Sequence, residues 1–414
     1  MSLSSLRSNF AWALSGNAVF ALCQWVQLIA IARFGGEGMA GDWGLANAIV
    51  VPIVVFSQLK LRQVQVTDAR GEHAFGHFLA LRIVFAGLAW LTAVAVAGVG
   101  YTQPVIVLVG ALVLSKVFDL LSDIAYGLFQ QRERMELIAR SMIARGVVGA
   151  AAAVGVLVTT GSLLGSMLAL ALVYAVGAAW YLEQARRILR AEGRPWRPAW
   201  QCPALRSLLL MSLPLAAATA IGTLQAQLPR YFIEGSWGRE ALGVYTALAA
   251  LLALGQIVIG AIAQAAVPRL AAYHAAGDRE AFKRLVLRMV GMGAGLGAVG
   301  FGVAVVAGRP IVHLVYGPSF AAHHGVLSWL MLSSAIVYAY VFMGTAANAM
   351  RLFRIQAPIH AVSTLAVLGV AAFAVPRYGL PGAAWSLIVG ATVEALLYTV
   401  VVRAQLAAMP ERTP

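Results

Sequence analysis

Twelve stretches of this chain are apolar for long enough to cross a lipid bilayer, and that excludes most folds open to a chain of its length. A spanning helix needs about 20 predominantly apolar residues. The stretches run 10–32, 43–61, 78–99, 103–128, 140–160, 162–183, 207–230, 241–267, 286–307, 324–349, 358–375 and 381–402. Composition agrees: 61% of the 414 residues are hydrophobic and 11% charged, where soluble domains carry about 25% charged residues. The expected fold class is an all-α polytopic membrane protein. MSLSSLRSNF leads into the first stretch with no A-x-A-type cleavage site where that stretch ends, so the first helix is expected to stay. Cys23 and Cys202 are too differently placed for a structural disulfide and lack metal-type spacing, and neither a cofactor nor a metal is expected.

The basic residues orient the helices. Twenty-four Lys and Arg fall on the side holding the termini and the even-numbered connections, and five (Arg33, Arg230, Arg239, Arg309 and Arg377) on the other. Positive-inside bias then places both termini in the cytoplasm. The same bias absorbs most of the net charge of +14. Anionic phospholipids are therefore the expected partner of that charge, and nucleic acid is not.

The connection at 184–206 is the longest polar one, and Pro195, Pro198 and Pro203 break any helix there. It predicts an N-terminal lobe at 1–188, a linker at 189–206 and a C-terminal lobe at 207–414. The halves resemble each other. GEGMAGDWGLANAIVV at 36–51 matches GREALGVYTALAALLA at 238–253, LALRIV at 79–84 matches LVLRMV at 285–290, and GSLLGS at 161–166 loosely matches YGLPGA at 378–383. Six helices per half make these parallel repeats, an arrangement of transporters whose substrate site lies at the repeat interface.

Charges inside the apolar stretches point to chemistry. Lys116, Asp119 and Asp123 share one helical face, continued by Gln130. Each charge costs at least about 2.5 kcal/mol at mid-bilayer, so the line needs a partner, a wet cavity or both. A Lys116–Asp119 pair that only aids packing is the plainer reading. Lys116 lies about 13 residues into its stretch and Glu394 about 14 into the twelfth, both near mid-membrane. Glu394 has no basic residue within eight positions, and either carries a proton or caps a neighbouring helix. Arg33, Arg230 and Glu234 sit near the outer boundary, where snorkelling to head groups is an ordinary alternative to function. Polar stripes mark several helices: Asn17, Gln24 and Gln27; Gln58, Arg62 and Gln65; Ser141 and Arg145; Ser212, Thr219, Thr223, Gln227 and Arg230; Gln256 and Gln264. Together they suggest a water-filled vestibule, or interhelical hydrogen-bond glue. The histidines form no ligand set and suit surface or packing roles.

Several stretches carry a family resemblance: SGN at 15–17 with QWVQLIAIARFG at 24–35, LKLRQVQVTDA at 59–69, and SKVFDLLSDIAYGLFQQRERMELIARSMIARG at 115–146. PRYFIEG at 229–235, QAAVPRLAAYHAAGD at 264–278 and YGPSFA at 316–321 continue it. The chain resembles the polysaccharide (O-antigen type) flippases of the multidrug/oligosaccharidyl-lipid/polysaccharide exporter superfamily. The resemblance implies two six-helix lobes around a central cavity that opens alternately to each side of the bacterial inner membrane. It implies as cargo an undecaprenyl-pyrophosphate-linked oligosaccharide, an O-antigen or exopolysaccharide repeat unit, moved from the cytoplasmic to the periplasmic leaflet. Other polysaccharide-assembly membrane proteins are implied partners.

A pyrophosphate is anionic, so a cationic cavity suits it. Lys116, Arg33, Arg62, Arg145 and Arg230 are the candidate phosphate-facing residues, with Gln24, Gln27 and Gln227 beside them. Asp119, Asp123 and Glu394 are candidates for coupling to a proton or sodium ion. No covalent chemistry is expected, since the outer loops are short and carry no catalytic constellation. A cation-coupled drug extruder would favour an acidic or aromatic cavity, a membrane polymerase or ligase would need a sizeable outer loop, and a scaffold would leave the buried charges unexplained.

Overall fold

The computed structural model describes residues 3–68 and 72–408, with side chains placed from Trp12 onward apart from Ala13 and Phe353. Of the basic residues that orient the chain, Arg70, Arg412 and the side chain of Arg7 lie outside the described residues. Every regular element among the described residues is helical.

The chain packs as two compact units, residues 1–223 and 224–414. The first holds α1 (Leu3–Ser57), α2 (Leu61–Thr67), α3 (Phe75–Gly100), α4 (Gln103–Gln131), α5 (Met135–Thr160), α6 (Leu163–Ala191) and the start of α7 (Cys202–Ala250). The second holds the rest of α7, then α8 (Leu252–Ala275), α9 (Arg279–Tyr316), α10 (Pro318–Ala321), α11 (His324–Ala349), α12 (Gln356–Tyr378) and α13 (Leu380–Ala408). The division falls inside α7, whose Leu205, Leu208, Leu209, Leu213 and Ala216 join an apolar core with Phe78, Tyr126, Phe129 and Leu189.

Among the described residues ten helical segments are long and apolar enough to cross a membrane, and two of them run on for 54 and 74 residues. At about 1.5 Å per residue either would far exceed a hydrocarbon core of about 30 Å. Each is two crossings joined at a sharp bend, which brings the total to the expected twelve. The bends are at Gly36 (φ 71°, ψ −168°) and Gly238 (φ 81°, ψ −173°). That backbone region is essentially restricted to glycine, because a Cβ would collide with the chain's own carbonyls. The two glycines head the matched segments 36–51 and 238–253, so the internal repeat extends to an unusual backbone conformation.

The turns repeat as well. Glu133 (φ 56°) after α4 and Arg351 (φ 60°) after α11 are both left-handed. The following amides close alike, Arg134 N on Phe129 O and Leu352 N on Ala347 O, each at 2.9 Å.

Two expected boundaries shift for physical reasons. The stretch at 286–307 lies within the longer α9, because Asp278 caps it early by accepting the Ala281 amide at 2.9 Å. Apolar length measures what fits in the bilayer, whereas caps decide where a helix begins. The expected stripe of Gln58, Arg62 and Gln65 is broken instead. Here α1 ends at Ser57, Leu59 (φ 48°) and Lys60 (φ 51°) turn left-handed, and α2 starts afresh. Close packing within the second unit comes from small residues: a Cβ on Gly293 would strike Tyr338 O, and one on Gly297 would strike Ala335, so α9 and α11 touch backbone to backbone.

Candidate functional site

The charged line on α4 meets its partners inside the first unit. Asp119 is ion-paired with Arg145 of α5. Three rings wall that guanidinium, with centroids 4.8 Å (Tyr174), 5.1 Å (Phe20) and 5.8 Å (Tyr126) away. Tyr126 is itself hydrogen-bonded to Ser141, one turn before Arg145. Asp123 accepts from Arg82 of α3 at 3.0 Å and from Arg62 of α2 at 3.5 Å. Arg62 also donates to Gln130 at 3.0 Å and lies over the Tyr126 ring at 5.6 Å. The left-handed pair at 59–60 starts α2 in the direction that delivers Arg62 to this point, a local cost of about 1–2 kcal/mol per residue.

Burial is uneven. Arg82 and Arg145 expose 0% and 4% of their side chains, whereas Asp123 and Asp119 expose 28% and 33%. An arginine taken out of water needs a counter-charge; the carboxylates supply it while facing open space. That space is a cavity of about 190 Å³ lined by Asn17, Phe20, Arg62, Asp119, Asp123, Tyr126, Met135, Ile138, Ala139, Met142 and Arg145. It has room for about six waters. Lys116 is one turn away on α4, within electrostatic reach of Asp119 and Arg145. Among the described residues it has no ion pair, so the Lys116–Asp119 pair read from spacing does not form. Arg145 takes Asp119 instead, through a guanidinium that matches carboxylate geometry as an ammonium does not. The cavity wall thus carries two cations and two carboxylates, and Arg82, buried, and Lys116, half-buried, stand behind it.

Other candidates lie elsewhere. Arg33 is exposed just before the Gly36 bend; Gln24 is half-buried and Gln27 buried, and none of these three lines the cavity. At the end of the first unit, the α7 hydroxyls of Thr219 and Thr223 bond to carbonyls of their own helix at 2.8 Å. Further along α7, Gln227 Oε1 and Arg230 Nε are buried without a partner among the described residues. Glu234 pairs with Arg239 across the Gly238 bend at 3.1 Å.

Glu394 is not solitary. It is 2% exposed, and its Oε1 lies 2.9 Å from Nδ1 of His360 on α12. Tyr340 of α11 lies within electrostatic reach of it and stacks on Tyr398 at 6.3 Å. His360 therefore has a polar role rather than the surface or packing role read from sequence. Its 34-residue separation from Glu394 hides the pair from any spacing rule. Arg82 was missed for another reason: it counts as a basic residue of a connection, yet stands inside α3 among the apolar residues of LALRIV, and that setting was the available signal.

A second cavity, of about 260 Å³, opens where α2, α4 and α6 end, between Gln65, Asp68, His73, Gln131, Arg132, Arg194 and four apolar side chains. At its rim Arg132 grips both oxygens of Glu192, at 2.7 and 2.5 Å, and this hydrogen bond holds the Glu192 carboxyl below its ordinary value.

Two bent, duplicated sets of six crossings define a known class of fold. The chain superimposes with a TM-score of 0.75 on a multidrug resistance MATE family transporter of the MOP superfamily in its inward-facing conformation, at 12% identity over 97% of this chain and 100% of that one. A MOP superfamily transporter from Pyrococcus furiosus, whose binding pocket is described as having reversed polarity, gives 0.68 at 14% identity over 98% and 96%. The sequence itself is more specific. Residues 6–274 match the polysaccharide biosynthesis protein family, and the chain belongs to that family. It is also similar to the capsular polysaccharide biosynthesis protein CapF of Staphylococcus aureus, 23% identical over 396 residues that cover 94% of this chain and 97% of CapF.

Proposed function

We propose that this protein is a flippase for a lipid-linked oligosaccharide, moving an undecaprenyl-pyrophosphate-linked repeat unit from the cytoplasmic to the periplasmic leaflet of a bacterial inner membrane. One observation supports it most: the charge cluster around the cavity of the first unit sets three arginines against two carboxylates, with Arg62 and Arg145 in the cavity wall, within a chain of the polysaccharide biosynthesis family. Arg145 and Arg62 would hold the pyrophosphate, with Lys116 within electrostatic reach of Asp119 behind them; Arg82 would position Asp123, which steadies Arg62. Transport would expose this site to one membrane face and then the other, and both termini would lie in the cytoplasm.

Coupling would run through the second unit. A carboxyl and an imidazole sharing a 2.9 Å hydrogen bond can pass a proton between them or hold it jointly, so Glu394 with His360 is our candidate proton carrier. Arg33, Arg230, Gln24, Gln27 and Gln227 would serve the saccharide along its path, the buried Gln227 and Arg230 atoms having unused hydrogen-bonding capacity among the described residues.

The test is reconstitution. Proteoliposomes carrying a fluorescent undecaprenyl-pyrophosphate saccharide in one leaflet should show protein-dependent transfer, driven by a pH gradient and not by sodium. Transfer of cationic dyes without transfer of the lipid-linked saccharide would establish the drug-extruder alternative instead.

A further inference from the structure

We infer that Asp119 is a resident counter-ion which the cargo's phosphate displaces from Arg145, and that Lys116 is the partner it moves to. This rests on reading the Arg145 cavity as the anion site.

Arg145 is fixed: its guanidinium is buried and walled by Phe20, Tyr126 and Tyr174, so only its partner can change. Its Nε is a further donor without a partner among the described residues. The two carboxylates are held differently. Asp123 is gripped by arginines from two helices, whereas Asp119 is ion-paired to Arg145 and exposes a third of its side chain. Lys116 is three residues back on the same helix, unengaged by any ion pair among the described residues and within electrostatic reach of Asp119. Residues three apart on a helix are neighbours, so Asp119 can turn to Lys116 by changing rotamer alone.

The charges balance before and after. At rest Arg145 and Asp119 neutralise each other and Lys116 is half-buried with no ion pair among the described residues. With cargo bound, Arg145 takes the phosphate and Lys116 takes Asp119, so no carboxylate is stranded in the apolar interior. The returning carboxylate then competes the cargo off. Conduction needs binding that is favourable enough to load and weak enough to release, and an internal competitor supplies the second half.

The probe is inorganic pyrophosphate, titrated calorimetrically into the full-length protein in phosphatidylcholine nanodiscs. Asp119→Asn should tighten binding about tenfold, equivalent to about 1.4 kcal/mol. Asp123→Asn, which removes the same charge one turn away, should tighten it less. Lys116→Gln should weaken binding in the wild-type background and not in Asp119→Asn, because Lys116 acts through Asp119. Three results overturn the exchange: no gain in Asp119→Asn, an equal gain in Asp123→Asn, or an equal Lys116→Gln loss in both backgrounds. Should Asp119→Asn not fold, infrared difference spectra of the wild type decide. Pyrophosphate should shift a carboxylate stretch, Lys116→Gln should alter that shift, and an unperturbed carboxylate overturns the exchange. Saccharide transfer is scored separately: the exchange pattern without transfer removes the cargo assignment and keeps the anion exchange, while transfer without the pattern removes only the exchange.

Discussion

Replacing Arg145 by methionine tests whether its charge serves stability, transport or both. Breaking a buried ion pair by removing one partner costs about 3–5 kcal/mol. The lower end applies, because Asp119 exposes 33% of its side chain and has Lys116 within reach. Each lost ring contact of a desolvated cation is worth about 0.5–2 kcal/mol, and methionine returns about 0.3–1.5 kcal/mol per ring, so the three rings roughly cancel. The expected net loss is therefore about 3 kcal/mol, read by detergent titration in mixed micelles followed by tryptophan fluorescence. Adding Asp119→Asn removes the stranded carboxylate and should recover most of that loss, since a buried pair replaced on both sides is often neutral. Saccharide transfer should stay abolished in the double variant, because no guanidinium remains to hold the phosphate. A double variant that transports normally would refute the binding role; one no more stable than Arg145→Met alone would refute the pairing energetics.

Gly36→Ala and Gly238→Ala should each cost about 1–3 kcal/mol in the same unfolding assay, while Gly38→Ala, in a helical turn with nothing within 4 Å, should be neutral or slightly stabilising. Glu394→Gln and His360→Asn should each slow saccharide transfer and flatten its dependence on pH; an unchanged pH profile in both variants counts against the proton carrier. Arg132 holds the Glu192 carboxyl low, so this pair stabilises the fold above the unfolded glutamate value of about 4.3 and stops doing so as pH falls through the depressed folded value. Being a surface pair it should contribute about 1 kcal/mol or less, visible as a smaller acid-induced loss of stability in Glu192→Gln.

The apolar stretches and the duplication were legible because each is a local property. Twenty apolar residues insert whatever their neighbours do, and the matched segments begin on the two glycines that carry the bend. Lys116, Asp119, Asp123 and Glu394 were visible for the same reason, as charges standing in apolar surroundings. Their pairing was not visible. Spacing along α4 offers Lys116 to Asp119, yet Arg145, 26 residues on, occupies that place. Arg82 looked like a loop cation until α3 was seen to bury it against Asp123.

From the sequence alone come membrane insertion, the number of crossings, the repeat, and the fact that charge is kept within the bilayer, because composition over a short window sets the energy of transfer. Which base meets which acid, which rings close around Arg145, and that Glu394 lies within hydrogen-bond distance of His360 were decided by helix packing. Those contacts join residues from 19 to 125 positions apart, and side chains that far apart along the chain meet only where the packed helices bring them.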